Sequence, residues 1–241
     1  MAFNYLDLTN AICNEVGEVA LTSSNFAGVI GQHAQIKRAI NSAIREINAT
    51  NILWSFNHTA AEITLVDGQT RYDFPANTKV VDFHSFRLKN DGTILTDTYP
   101  LRLINYKDYL KYHADEEYNT TKEDRPRYVF RTPEGGYGLS PTPDQAYVLA
   151  FDYFLLPTDL VAFDDVPTIP EDQRQVIEDG AMKRVLRFRG DNEGYQMAVA
   201  DFDRGMRSMR TIYSNRNYDK VGSSMLWDVG GGHVYSGERV T

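Results

Sequence analysis

The chain has 241 residues, of which 42% are hydrophobic, and its formal net charge is −8. This length and apolar content allow a real core and exclude wholesale disorder, while the acidic charge makes tight binding of duplex DNA a poor assignment, because Lys and Arg must neutralise phosphates. Cys13 is the only cysteine, so an intramolecular disulfide is excluded.

Two amphipathic helices are predicted at the start of the chain, and residues 1–58 are assigned to them. The first has apolar residues at four- and three-residue steps, namely Leu8, Ile12, Val16 and Val19. The polar run 22–25 is expected to end it. The second is predicted over residues 34–49, where one apolar stripe contains Ile36, Ile40, Ala43, Ile44 and Ile47.

An inserted antiparallel β-domain is predicted over residues 59–160. From Ala60 the hydrophobic period changes to two, and Asp67-Gly68 is predicted to turn the chain. Strands are predicted at 71–74, 79–88, 93–95, 100–104, 127–131, 137–139 and 147–156, with a hairpin turn at 90–92. A short helix is predicted over 105–113, and the charged stretch 115–124 is expected to be a surface loop.

The longest predicted strand, 79–88, alternates strictly in the sequence. Alternation would place Val81 and Phe83 on one face of the sheet and Phe86 and Leu88 on the other.

A second pair of helices is predicted over residues 161–215. Pro170 and the acidic residues after it favour a helix start, because proline fits the first turn and carboxylates stabilise the positive end of the helix dipole. The buried face is predicted to contain Val176, Ile177, Ala181, Val185, Leu186 and Phe188. Gly190 is expected to end this helix, and Asp191 or Asn192 to cap the next one.

The last helix has a narrow apolar seam with alternating four- and three-residue steps. Its members are Tyr195, Val199, Phe202, Met206, Met209 and Tyr213. Two apolar positions in seven usually pack on a single neighbour, so the seam is predicted to serve either helix packing or a subunit interface.

Residues 216–241 are predicted to form an extended C-terminal arm. They lack a hydrophobic period, and small-residue stretches at 222–224 and 230–232 interrupt them. A solvated tail would not normally contain large apolar residues between such stretches, so the arm is expected to order on a partner, with a frayed terminus as the alternative. The residues predicted to make this contact are Met225, Leu226, Trp227, Val234 and Tyr235. The sequence thus predicts an α+β protein, with an antiparallel bundle of about four helices, the inserted β-domain and the arm.

The charges are distributed unevenly along the chain. Residues 59–170 contain 18 acidic and 11 basic residues, whereas residues 174–220 contain 7 acidic and 10 basic ones. An acidic wall lets DNA slide past, so this distribution is compatible with a conduit, although acidic character also serves plain solubility. We find neither a signal peptide nor a stretch near the roughly 20 apolar residues of a membrane helix, so folding in a cytoplasm is expected.

No arrangement of catalytic or metal-binding residues is recognisable in the sequence. The five histidines share no helix-face spacing, and neither a nucleophile elbow nor a phosphate-binding loop is present. The glycines of 135–138 precede a predicted strand and indicate a β-turn. The acidic pairs at 116–117, 123–124 and 164–165 lie in polar stretches, where carboxylates are expected to stay solvated. We therefore expect no enzymatic activity, no metal and no cofactor.

Three local segments add to this order of elements. The second helix ends in Ile44-Arg45-Glu46-Ile47-Asn48 and runs into Trp54-Ser55-Phe56-Asn57. Arg125-Pro126-Arg127-Tyr128 leads to the stretch 138–144, and Pro167-Thr168-Ile169-Pro170-Glu171 opens the third helix. Together, over about residues 1–215, these features resemble the head-to-tail adaptors of short-tailed bacteriophages, also called tail tubular protein A or gatekeeper proteins.

The resemblance implies a structural virion protein in the neck or tail of a podovirus, assembled in the host cytoplasm. Twelve copies would form a ring beneath the portal protein and offer a platform to the tail nozzle (tail tubular) protein. The arm would be the portal anchor, and the seam would face its own bundle or a ring neighbour. Genomic DNA would pass through the channel during ejection without sequence-specific binding.

Two other functions are weighed against this one. The β-domain could be a receptor- or glycan-binding module, with stacking surfaces from Tyr128, Phe130, Tyr137, Tyr147, Tyr153 and Phe154. We favour the alternative that these aromatic residues alternate into the core of the sheets. Some adaptors of this kind are reported to degrade peptidoglycan, but no residue of this sequence points to that activity.

Overall fold

Helices and strands both contribute to the structure, as the sequence predicts. The computed structural model describes residues 3–51, 53–89 and 98–214. Within these ranges the helices are α1 (Tyr5–Glu15), α2 (Gln32–Thr50), α3 (Tyr106–Tyr112), α4 (Ala114–Glu117), α5 (Arg174–Arg189) and α6 (Asn192–Tyr213). α2 packs against α5, α5 against α6, and α1 against both α2 and α5. No helix of the described ranges has the length and apolar character needed to cross a lipid bilayer.

The strands form two four-stranded sheets. The first has the spatial order β1 (His58–Thr64), β8 (Val148–Leu155), β3 (Thr78–Lys89) and β4 (Thr98–Pro100), with antiparallel pairing throughout. The second has the order β2 (Arg71–Tyr72), β7 (Tyr137–Ser140), β6 (Tyr128–Arg131) and β5 (Arg102–Ile104). The predicted hairpin at 90–92 and strand at 93–95 lie outside the described residues.

One strand pair departs from the antiparallel arrangement that the sequence predicts. β5 runs parallel to β6, so the prediction is wrong at this edge of the second sheet. Parallel neighbours need a crossover connection, and α3 and α4 lie in the chain between these two strands.

Buried apolar side chains form two separate cores. The first draws on residues 3–54 and 160–209 and therefore on α1, α2, α5 and α6. The second draws on residues 65–153 and lies within the sheets. The division into four domains, with boundaries after residues 58, 160 and 215, stays a prediction. The two cores are compatible with it.

The first helix is shorter than its apolar pattern suggests. Asn4 caps it, because its side chain accepts a hydrogen bond from the Asp7 amide at 2.8 Å. The helix ends at Glu15, and Gly17 has a φ of +72°, which turns the chain out of the helix. Val19, which the pattern placed on the buried stripe, is 80% exposed. That part of the prediction is wrong because the glycine ends the helix before this residue.

The link between α5 and α6 has the predicted form. Gly190 ends α5 in the left-handed conformation, with a φ of +77°. The Asp191 side chain accepts a hydrogen bond from the Gly194 amide at 2.9 Å and so caps α6. Phe188, however, was predicted to be buried and is 63% exposed, since it lies in the last turn of α5.

The strict alternation predicted for β3 is interrupted. Val81 is buried in the first half of the strand, and Phe86 and Leu88 are buried in the second half. The pairing of β3 with β8 changes register between Asp82 and Arg87. Such an irregularity reverses the faces of the strand, so the buried apolar residues change from an odd position, 81, to even positions, 86 and 88.

The stretch 115–124 is largely exposed, as its charge indicates, but it is not a simple loop, and Glu116 and Glu117 are half-buried. α4 and a 3₁₀ turn at Thr120–Lys122 lie in it. Ser140 of β7 donates a hydrogen bond to the Glu116 carboxylate at 2.5 Å. Arg71 of β2 forms an ion pair with Glu117 at 3.1 Å, and the Tyr109 hydroxyl donates to the same carboxylate. These two acidic residues therefore attach α3 and α4 to the second sheet.

Candidate interaction surfaces

The central residues of the α6 seam are buried within this chain. Phe202, Met206 and Met209 are 4%, 5% and 0% exposed and belong to the core shared with α1, α2 and α5. Tyr195 and Val199, nearer the start of α6, are half-buried. The middle of the seam is thus occupied by intramolecular packing.

Two glycines allow the close approach of the helices at the seam. A Cβ atom on Gly180 of α5 would lie 2.8 Å from the Phe202 ring and 3.0 Å from Ala43 of α2. A Cβ atom on Gly205 of α6 would lie 2.8 Å from Val176. Larger residues at these positions would force the helices apart, which explains why glycine is accommodated inside two helices.

The Lys183 side chain of α5 contacts both α6 and α2. The Lys183 ammonium lies 3.7 Å from the centre of the Phe202 ring and forms an ion pair with Glu46 at 2.6 Å. Arg184 approaches the other oxygen of Glu46 at 2.8 Å. A cation that is held over an aromatic face and beside a carboxylate stabilises both contacts.

The face of α6 that points away from the core is charged and exposed. Asp201 and Asp203 precede Arg204, Arg207 and Arg210 along this face. Exposed apolar side chains interrupt it at Met197 (64%) and Ile212 (59%). This face, and not the buried seam, is available for contacts with other molecules.

Four carboxylates lie near one another where α1 and α6 meet α5. Burial, Glu178 and Asp179 raise the pKa of Glu15. Burial and the nearby Asp201 also raise the pKa of Asp179, although a hydrogen bond from Gln175 acts in the opposite direction. Within the described ranges no group of His, Cys, Asp and Glu side chains has the arrangement of a metal site.

The end of α6 is fixed at the passage from α2 to β1. Ser214 forms an antiparallel bridge with Trp54, whose indole donates a hydrogen bond to the Ile47 carbonyl at 2.9 Å. The Tyr213 ring packs edge-on against Phe56 at 5.8 Å, and its hydroxyl donates to Asp172 at 2.7 Å. The chain that follows Ser214 therefore starts from a defined point beside Trp54.

The predicted contact residues of the arm are not placed by the structure. Met225, Leu226, Trp227, Val234 and Tyr235 all lie outside the described residues. Their assignment stays a prediction. The anchoring of Ser214 on Trp54 had no signal in the sequence, because the two residues are distant along the chain and carry no common motif.

The aromatic residues of the β-domain are mostly unavailable as a stacking surface. Phe130, Tyr137 and Phe154 are fully buried, and Tyr147 and Tyr153 are each 8% exposed. Their rings pack within the protein; the Phe130 ring, for example, lies 3.9 Å from that of Tyr109. These contacts favour the interpretation that the aromatic residues form the core, and they count against a glycan-binding surface built from them.

The chain belongs to the SU10 adaptor protein family, whose model matches residues 3–224. The resemblance to phage head-to-tail adaptors is therefore confirmed. Membership of this family implies that the chain interacts with other head and tail components of the phage. Structural adaptors of this family are typically not enzymes. No curated protein is significantly similar to the chain.

Proposed function

We propose that this adaptor is a subunit of a ring of twelve copies that joins the portal protein to the tail nozzle protein of a short-tailed phage. Genomic DNA passes through the ring during ejection without sequence-specific binding. The subunit folds in the host cytoplasm and enters the virion there. Family membership and the fixed exit of the C-terminal segment support this proposal.

The helices provide the body of the ring in this proposal. α1, α2, α5 and α6 form an antiparallel bundle, and the buried seam of α6 holds that bundle together. Burial of Met209 and Phe202 supports the use of the seam within the subunit. Contacts between copies then involve exposed surfaces of the subunit.

The C-terminal arm is the portal anchor in this proposal, and the position of Ser214 is the observation that carries it. Because Ser214 is bridged to Trp54, the position on the subunit from which the chain continues towards the proposed arm, residues 216–241, is fixed. An extended chain covers about 3.3 Å per residue, so the arm can reach well beyond its own subunit. Twelve arms of modest affinity hold a ring firmly because they act together.

Deletion of residues 216–241 tests the anchor. The truncated chain should keep its helical circular dichroism and its unfolding midpoint, because the described cores end before residue 215. It should no longer join portal particles in a pull-down, whereas the full-length chain should. Electron microscopy of the full-length complex should show twelve-fold density beneath the portal.

A finer variant separates contact chemistry from arm length. Replacing Leu226 and Trp227 with Ala keeps the arm intact and should reduce portal binding strongly, since Trp is among the residues that contribute most to such contacts. The matched control replaces Ser223 and Ser224 with Ala and should bind as the wild type does. Equal binding by the truncated chain and the full-length chain would show that the anchor lies elsewhere.

A further inference from the structure

The β-domain contains a cleft of about 530 Å³ that is lined by three arginines, and we name it the arginine cleft. Its charged and aromatic lining residues are Tyr99, Arg102, Asp124, Arg125, Arg127 and Tyr128. Three cations against one carboxylate give it a positive charge. Residues 59–170 as a whole are acidic, so this cleft is an exception in its part of the chain.

The arginines of the cleft are held on a rigid frame. The Arg125 guanidinium lies 3.1 Å from the centre of the Tyr99 ring, and Arg127 donates a hydrogen bond to Asp124 at 2.8 Å. The Arg102 amide donates to the Arg127 carbonyl at 3.0 Å, which joins the two backbones. Arg102 is exposed and has no carboxylate partner among the described residues. Its planar guanidinium is suited to a carboxylate from outside.

A protein carboxylate fits the arginine cleft better than DNA or a sugar does. Duplex DNA carries one charge per roughly 1.7 Å and needs an extended basic surface, whereas residues 59–170, which contain the cleft, have an excess of acidic residues. A sugar needs a free aromatic face, but Arg125 covers Tyr99, and the Tyr128 ring lies 5.0 Å from that of His113. The cleft is therefore suited to an acidic turn of a protein.

A turn of this kind occurs on the surface of the same chain, at residues 161–166. It presents one carboxylate among apolar side chains that solvent reaches. The exposed residues are Val161 (76%), Phe163 (40%), Asp164 and Val166 (50%). Several large apolar side chains held together in water are typical of an interaction site.

Hydrogen bonds fix the conformation of the 161–166 turn. The Asp165 carboxylate accepts hydrogen bonds from the amides of Val161 and Ala162 at 2.6 and 2.8 Å. The backbone carbonyl of Asp165 accepts a hydrogen bond from the Tyr5 amide at 2.8 Å, in the first turn of α1, where backbone amides have no partner within the helix. A turn that is ordered in advance loses little conformational entropy on binding.

The cleft and the turn lie at opposite ends of β3. Tyr99, in the cleft, pairs with Leu88 near the end of this strand. The turn follows β8, whose Leu155 pairs with Thr78 at the start of the strand. Ten residues of strand separate these two points by roughly 30 Å, so the cleft and the strand end from which the chain continues to the turn are far apart within one chain.

We propose that the 161–166 turn of one copy docks into the arginine cleft of the next copy. Asp164 meets the exposed guanidinium of Arg102, and Phe163 packs on the apolar part of the cleft. Complementary charge at two opposite ends gives a head-to-tail contact, which closes into a ring when the rotation between copies permits. This inference rests on the proposed ring and names the surfaces through which its copies meet.

A charge swap tests the contact. Arg102→Glu and Asp164→Lys, each alone, should lower the association between copies at least about tenfold, because each places like charges opposite one another. The double variant restores opposite charges and should regain most of the association. Sedimentation over a concentration series measures the free chain, and electron microscopy counts the copies bound to portal particles.

Controls and outcomes separate this inference from the proposed function. Arg131→Glu and Asp67→Lys make the same charge changes at exposed positions outside both surfaces and should associate as the wild type does. Normal rings from both single variants, or no recovery in the double variant, would overturn the contact and leave the ring intact. If the Arg102→Glu variant forms normal rings but these rings fail to bind a tail component, the arginine cleft binds that component and not a second copy of the chain. A wild-type chain that neither associates nor joins the portal would overturn both proposals.

Discussion

Gly138 of β7 occupies a position that no larger residue can take. A Cβ atom there would lie 2.2 Å from the Phe130 ring, which is fully buried. That ring is in turn stacked on the Tyr109 ring with centres 3.9 Å apart. Because Gly138 has no side chain, the Phe130 ring of β6 can stack on the Tyr109 ring of α3. This stacking helps to hold α3 against the second sheet.

Gly138→Ala should destabilise the β-domain by about 1–3 kcal/mol, because the added methyl group must displace a packed ring. Denaturant unfolding followed by tyrosine fluorescence measures the change. Gly28→Ala is the matched control, since a Cβ atom at Gly28 has no neighbour within 4 Å and should leave the midpoint nearly unchanged. Equal midpoints for both variants would show that the Phe130 ring moves away freely.

Asp179 should make stability depend on pH. Its pKa is raised above the ordinary value of 3.8, first by burial and then by Asp201, so the folded protein binds this proton more tightly than the unfolded chain does. Stability should therefore fall as pH rises from the ordinary pKa through the raised folded one. Asp179→Asn keeps an acceptor for Gln175 and should be more stable than the wild type at neutral pH.

Thermal midpoints of this variant at about pH 4 and about pH 7 check the sign of the effect. Exposed Asp203 on the outer face of α6 provides the control, and Asp203→Asn should leave the pH dependence of the wild type unchanged. A lower midpoint for Asp179→Asn at neutral pH would mean that the ionised carboxylate stabilises the fold.

Single residues were predictable where their signals are local. Gly190 and Asp191 act within one turn of their own positions, so their capping roles follow from the sequence alone. Glu116 and Glu117 were misassigned because their partners, Ser140 and Arg71, are remote in sequence. A carboxylate in a polar stretch carries no mark of such distant contacts.

At the scale of elements, α6 connects sequence pattern and packing most directly. Its seam of alternating four- and three-residue steps predicts a single narrow contact, and its buried members meet the helical core. Which neighbour would receive the seam could not be deduced, because the same pattern serves a helix of the same chain or of another copy. The additional information is the position of α5, with Gly180 facing Phe202.

Met209→Ala should lower the free energy of unfolding by about 2–5 kcal/mol, because Met209 is fully buried and its removal leaves a cavity. Met197→Ala on the same helix is the matched control, since Met197 is 64% exposed and should cost less than about 0.5 kcal/mol. Urea unfolding of both variants measures the difference. Similar losses for the two would contradict the burial of the seam.

Strands were easier to locate from the sequence than to pair. The segments 127–131, 137–139 and 147–156, which were predicted as strands, contain most or all of β6, β7 and β8, because strand character is a property of neighbouring residues. The register change in β3 and the parallel pairing of β5 depend on partner strands, which single-chain patterns do not encode. Pairing therefore had to come from the structure.

At the scale of the whole molecule, a polar joint connects the two cores. The Lys79 ammonium of β3 donates a hydrogen bond to the Asn48 carbonyl at the end of α2, at 2.6 Å. Asn57 donates to the Asn48 side chain at 2.6 Å. The cation lies where the negative end of the helix dipole is, so it stabilises the attachment of the sheets to the helices.

The overall order of helices, strands and helices was predictable, since each region has its own hydrophobic period. The contacts between those regions were not, because Lys79 and Asn48 carry no periodic signal. The arm lies outside the described residues, so its role stays a prediction from its composition. Trp227 and Tyr235 are the residues to test.

The bridge between Ser214 and Trp54 determines how the molecule responds to mechanical force. Traction on the last residues of the chain enters the subunit beside Trp54, where the helical core and the sheets adjoin. A tether attached there distributes tension to both halves of the subunit at once.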